Sequence, residues 1–103
     1  ADLGGLNIAY DALQTALKTD PKEADAKIDG YTQDQRFFLN WARVWRGSMR
    51  EKAAELRLNT YPHSPIAIRA IASPSDMTAF ATAFQCKPGD AMVRPADKQV
   101  KIW

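Results

Sequence analysis

At 103 residues the chain has room for one small domain with a modest core, because short chains bury a smaller fraction of their surface than long ones. Its 14 basic and 12 acidic residues leave a formal charge of +2 and are scattered without a basic block, which argues against a nucleic-acid partner. No apolar run approaches the roughly 20 residues of a membrane span, no signal-peptide pattern opens the chain, and the single cysteine excludes an internal disulfide.

The pattern predicts a mainly helical chain. Leu6, Ala9, Tyr10, Leu13 and Leu17 recur at helical spacing and predict a first helix over about residues 5 to 18, ending near Asp20-Pro21. The stretch from Asp20 to Gly30 is expected to be an exposed connection. Thr32-x-x-Gln35 is a capping box, and it predicts a second helix with Phe37, Phe38, Trp41, Val44, Trp45 and Met49 on one broad face. After Gly47 a short helix is expected over Glu51 to Leu58, with Ala53, Ala54 and Leu56 inward. Ser73-Pro74-x-Asp76 carries the marks of a further helix start: a capping Ser, a Pro for the first turn and an early carboxylate. Met77, Phe80, Ala81 and Phe84 form its apolar stripe, and Pro88-Gly89 is expected to stop it. The remainder reads as an irregular tail with one short strand. Three Trp, three Tyr and four Phe are ample aromatic area for this length, so some rings are expected to pack on something outside the chain.

Chemistry is best sought in Asn59-Thr60-Tyr61-Pro62-His63-Ser64-Pro65. Its two prolines fix φ and push the residues before them out of the helical region. The only histidine therefore sits on a stiff, non-helical segment. A neutral imidazole donates from one ring nitrogen, and Arg69 offers a planar fork of donors, so the two could converge on a carbonyl or carboxylate. A satisfied turn histidine is the plainer alternative.

Four stretches, in order and spanning essentially the whole chain, carry a resemblance. They are Ala1-Asp2-Leu3-Gly4-Gly5; Gln35-Arg36-Phe37-Phe38 with Trp41-Ala42-Arg43-Val44-Trp45-Arg46; Asn59-Thr60-x-Pro62-His63-Ser64-Pro65 through Arg69; and Ala83-Phe84-x-Cys86-Lys87-Pro88-Gly89-Asp90 running to Trp103. Together they resemble the C-terminal end of zinc metallopeptidases of the neprilysin and endothelin-converting enzyme type. The fold this implies is the small helical C-terminal portion of a gluzincin-type catalytic domain, with residues 1–103 all belonging to it.

The resemblance implies a role for each matching position. Asp2 matches an aspartate that accepts from a zinc-bound histidine and fixes its orientation, although an acidic residue resting on a helix N-terminus would look the same. The zinc-binding glutamate would fall three residues before Ala1, and the His-Glu-x-x-His helix further upstream. His63 matches the histidine that donates to the oxyanion, and Arg69 the arginine that binds a substrate backbone carbonyl. Val44 and Trp45 match residues of the hydrophobic pocket that takes the side chain just after the scissile bond; plain core packing is the alternative for both. The implied whole enzyme is a zinc endopeptidase or oligopeptidase that cleaves on the amino side of apolar residues. Its partners would be a peptide substrate and the rest of the same polypeptide, its cofactor zinc, and its location extracytoplasmic, with the cytoplasm as the alternative. No metal site is expected within these residues themselves. In animal members the position of Cys86 is usually disulfide-bonded to a cysteine where this chain has Val100, a departure that points to a bacterial type of member and a free, buried thiol. A noncatalytic helical module that binds a peptide or a protein is the alternative function.

Overall fold

The computed structural model describes residues 1–102; Trp103, which closes the fourth motif, lies outside them. Six α-helices follow in order: α1 (Asp2–Thr19), α2 (Pro21–Asp25), α3 (Gln33–Val44), α4 (Glu51–Thr60), α5 (Ile66–Ser75) and α6 (Thr78–Ala83), with a 3-10 turn at Ala96–Lys98. Among the described residues there is no strand, only an isolated bridge between Ile28 and Tyr31. Asp29 and Gly30 both take positive φ, 53° and 81°, as a type I′ turn between them requires.

Helix α1 begins at Asp2, earlier than the periodicity suggests, and runs through Gly4 and Gly5. Each glycine costs a helix interior about 1 kcal/mol relative to alanine. That cost is outweighed here because Leu3 and Leu6 are both buried on the inner face of the same turn. The Asp20 carboxylate accepts from the Glu23 amide at 3.2 Å and caps the short α2, within an otherwise exposed connection.

The capping box of α3 is fully formed. Thr32 Oγ1 accepts from the Gln35 amide at 3.2 Å, and Gln35 Oε1 accepts from the Thr32 amide at 3.1 Å. The same Gln35 donates from Nε2 to the Ala83 carbonyl at 2.9 Å, which ties the start of α3 to the end of α6. The core lies where α1, α3 and α6 meet: Leu3, Leu6, Phe38 and Met77 are buried, with Tyr10, Phe37, Trp41, Phe80 and Phe84 packed around them. Phe38 meets Phe37 and Phe80 edge-on at 5.2 and 5.3 Å, and it stacks on Tyr10 at 5.6 Å. Such pairs add about 0.5–1.5 kcal/mol each beyond the burial of their area. Burial, together with the neighbouring Asp34 carboxylate, pushes the Tyr10 phenol up to about 12, so it stays protonated at neutral pH.

The rings therefore turn largely to one another. The most exposed large apolar side chains are aliphatic, with Ile8, Leu56, Leu58 and Val44 all 60% or more accessible, while Tyr31 and Tyr61 are exposed to a lesser degree. The radius of gyration, 15.6 Å, exceeds the roughly 13 Å of a compact domain of this length.

Four expectations are corrected. Ser73-Pro74 does not start a helix; it ends α5, which begins directly after Pro65 and carries Arg69 on its first turns. Pro74 lacks the N–H that would bond back to Ala70, so the helix goes only one residue further. Asp76 then stands at the C-cap of α5 and anchors the tail: it pairs with Arg94 at 3.2 Å and accepts from the Val100 amide at 3.0 Å. In α4 only Ala54 is half-buried, while Ala53 and Leu56 face solvent, because no other helix packs closely on this one. The tail holds a 3-10 turn in place of a strand, and Cys86 is half-buried, not buried.

Helix α6 stops at Ala83, five residues before Pro88. The stop is a Schellman closure: the Cys86 amide bonds to the Ala81 carbonyl at 2.9 Å and the Gln85 amide to Thr82 at 3.2 Å. Gln85 takes φ 55° to allow it, a left-handed conformation that costs a non-glycine residue about 1 kcal/mol. Gln85→Gly is therefore expected to raise stability by up to about 1 kcal/mol, measurable as a higher midpoint in urea unfolding.

Candidate functional site

Helices α3 and α5, the detached α4 and the loop between α4 and α5 enclose one cleft of about 360 Å³, with Trp45, Tyr61, His63 and Arg69 on its wall. Its lining is mostly apolar, with Met49, Leu58, Pro65 and Ile66 among the contributors. Gly47 suits this close approach: a Cβ there would stand 2.9 Å from Ile66 Cδ1, so a larger residue at the exit of α3 would make the tip of the Ile66 side chain shift.

Arg69 is the hub. Its Nε donates to Asp2 Oδ2 and its Nη2 to Asp2 Oδ1, both at 2.6 Å, which joins α5 to the first turn of α1 across 67 positions of sequence. The guanidinium lies on the ring of Trp45, with Cζ 3.9 Å from the centroid. Nη1 takes no partner in either bond to Asp2 and is left to donate elsewhere. The hydrogen bond from Arg69 holds the Asp2 carboxyl below the usual carboxylate range, against a smaller upward push from burial; the positive charge of Arg69 and a weaker one from His63 pull the same way as the bond. A carboxyl lowered by folding stabilises above its unfolded pKa, and the contribution is lost as pH falls through the lowered value. Both Asp2 oxygens keep a lone pair beyond the one given to Arg69, so a further donor can be accommodated.

The Trp41 indole donates from Nε1 to the Arg69 backbone carbonyl at 3.3 Å and meets Trp45 edge-on at 5.6 Å, so the indole pair backs the hub from inside. Trp45 Nε1 is buried with no hydrogen-bond partner among the described residues. A buried donor in that condition costs on the order of 1–3 kcal/mol, and the fold of these residues gives no return for it.

His63 sits on the non-helical stretch between α4 and α5, exposed, with its ring 5.1 Å from that of Tyr61 in an edge contact. Of the residues singled out from sequence, the structure thus brings Trp45, His63 and Arg69 onto the wall of one cleft, while Asp2 is outside the lining and joined to it only through its pair with Arg69. Val44 stands apart: it is 65% exposed and outside the cleft lining, because it lies at the last residue of α3 where no described element covers it. Periodicity places Met49 on the same helix face; it lies beyond the helix end but does line the cleft. Tyr61 and Arg57 are further lining residues that periodicity and motif spacing do not assign to the site. A second cleft, between α1, α2 and the start of α3, offers no comparable chemistry, since its Gln33 is committed to Glu23 and Arg36 and its Asp34 to Gln14.

The comparisons with known proteins cover nearly the whole chain. The model of peptidase family M13 matches residues 1–100. The chain belongs to peptidase family M13. It is 40% identical to Neprilysin-3 of Drosophila melanogaster and 40% identical to endothelin-converting enzyme 1 of Cavia porcellus, in both cases over all of this chain and 13% of the relative. Among solved structures it superposes on the zinc metalloprotease Zmp1 of Mycobacterium tuberculosis with a TM-score of 0.89 at 38% identity, over 99% of this chain and 15% of that one. The helical fold expected from the sequence is thus the M13 fold of this region, and the chain spans about one-seventh of the length of the M13 proteins it matches.

Proposed function

We propose that residues 1–103 form the C-terminal, substrate-facing part of the catalytic domain of a zinc-dependent endopeptidase or oligopeptidase that cleaves on the amino side of apolar residues. The observation that carries the reading is the convergence of Trp45, His63 and Arg69 on one apolar cleft, with Asp2 bound to Arg69 through two hydrogen bonds. Among the described residues no three His, Cys, Asp or Glu side chains are placed to hold a metal ion, and Asp2 is engaged by Arg69. These residues do not fit a zinc site by themselves, so the metal proposed for the whole protein is held by residues beyond this chain.

Within that scheme His63 donates a hydrogen bond to the carbonyl oxygen as it gains charge, a contact stronger in the transition state than with bound substrate. Arg69, already oriented by Asp2 and by the face of Trp45, uses the free Nη1 to hold a backbone carbonyl of the peptide. Trp45 and the aliphatic lining receive the apolar side chain.

Trp41→Phe keeps an aromatic side chain but removes the indole N–H that donates to the Arg69 carbonyl, together with the part of the bicycle that carries it. It is expected to lower kcat/KM of the full-length protein by about two- to fivefold. No further loss is expected when it is added to Arg69→Ala, and an equal loss in both backgrounds would reduce Trp41 to packing. The scheme as a whole is tested by incubating the full-length protein with a short apolar peptide, with and without chelator, alongside a zinc assay. Chelator-sensitive cleavage is expected; a zinc-free, inactive protein would favour the noncatalytic binding module.

A further inference from the structure

The cleft carries two guanidinium groups and no carboxylate on its wall. Arg69 spends its charge on Asp2, but Arg57, on α4, has no ion-pair partner among the described residues. Its Cζ lies 4.1 Å from the centroid of Tyr61, four residues on, and Tyr61 meets His63 edge-on at 5.1 Å. The guanidinium therefore lies over an aromatic face beside the proposed oxyanion donor, on an exposed side chain at the cleft wall. An apolar cleft with a single uncompensated cation at its rim is complementary to a ligand with an apolar group and a negative charge close by.

We infer that Arg57 is a specificity-determining residue that favours peptides carrying a carboxylate next to the apolar side chain seated in the cleft. The inference rests on the peptidase reading given above. The planar fork of a guanidinium matches both oxygens of a carboxylate, and holding it on Tyr61 reduces the freedom lost when the pair forms. Because Arg57 is exposed, its influence is modest and screened by salt, and it acts on substrate capture more than on the chemical step. Two peptide groups supply that chemistry, an Asp or Glu side chain and a free C-terminus.

The test uses the full-length protein and one peptide sequence in which Glu, Gln or Lys follows the apolar residue, each with a free or an amidated C-terminus. For the wild type, kcat/KM is expected to be about two- to fivefold higher with the carboxylate than without it. The preference should shrink at high salt, disappear in Arg57→Gln with kcat little changed, and survive in Arg57→Lys. A Glu preference that persists in amidated peptides assigns the carboxylate to the side chain, and one confined to free acids assigns it to the terminus; either supports the inference. Equal cleavage of all the peptides by the wild type, or a preference retained in Arg57→Gln, overturns the role of Arg57 and leaves the peptidase reading standing. Cleavage of none of them overturns the peptidase reading and this inference together.

Discussion

His63→Ala in the full-length protein is expected to lower kcat on a short apolar peptide by about a hundredfold to a thousandfold while zinc content stays at the wild-type level. The size follows from where the interaction is made. A donor aimed at an oxygen that becomes charged only as the bond is attacked contributes to the barrier, and little to binding. The surroundings of His63 suit such a donor. Prolines on either side stiffen its segment, Tyr61 supports one edge of the ring, and the imidazole stays accessible at the cleft wall. Steady-state kinetics together with metal analysis separate this role from a structural one. A variant with wild-type kcat would leave His63 as a turn residue packed on Tyr61.

Arg69→Ala is expected to reduce kcat/KM by about a hundredfold, with KM rising and kcat falling together. The change removes three things at once: the partner of both Asp2 oxygens, the group covering Trp45, and the free Nη1. Arg69→Lys separates charge from geometry, since an ammonium keeps the charge but cannot span two carboxylate oxygens in one plane. Only a partial recovery is therefore expected from lysine. Activity within a few-fold of wild type for Arg69→Ala would dismiss the substrate contact and leave the Asp2 pair as a tie between α1 and α5.

The elements read correctly from sequence are those whose signals are local. The Thr32–Gln35 box fixes the start of α3 through two reciprocal bonds, and the apolar spacing of α1 needs only its own eighteen residues to be seen. Helix α5 is hidden because its N-terminus has no side-chain cap, and because Ser73-Pro74-x-Asp76, which resembles a helix start, is used at its end. The legible signal is the unbroken run from Ile66 to Ala72 behind Pro65, with no glycine or proline inside it. Once α5 is a helix, Arg69 moves from a loop to a fixed face and its pairing with Asp2 becomes possible. That pairing joins positions 67 apart, and no pattern within the sequence could supply it. Val44 shows the opposite failure: its helical phase matches that of Phe37, but phase alone does not tell where along a helix its neighbours stop.

Helix α4 lends side chains to the cleft, Arg57 and Leu58 among them, yet contributes nothing to the buried core and touches the other helices little. Under the proposed function, stability and selectivity are thereby carried by different parts of the chain. Substitutions along α4 can redraw what the cleft accepts without drawing on the few kilocalories that keep α1, α3 and α6 together, because surface changes away from core contacts usually stay within about 0.5 kcal/mol. If the cleft receives substrate as proposed, this helix is the segment on which new substrate preferences can be tried at least risk to folding, whereas a change at Phe38 or Leu6 is exposed to the stability threshold first.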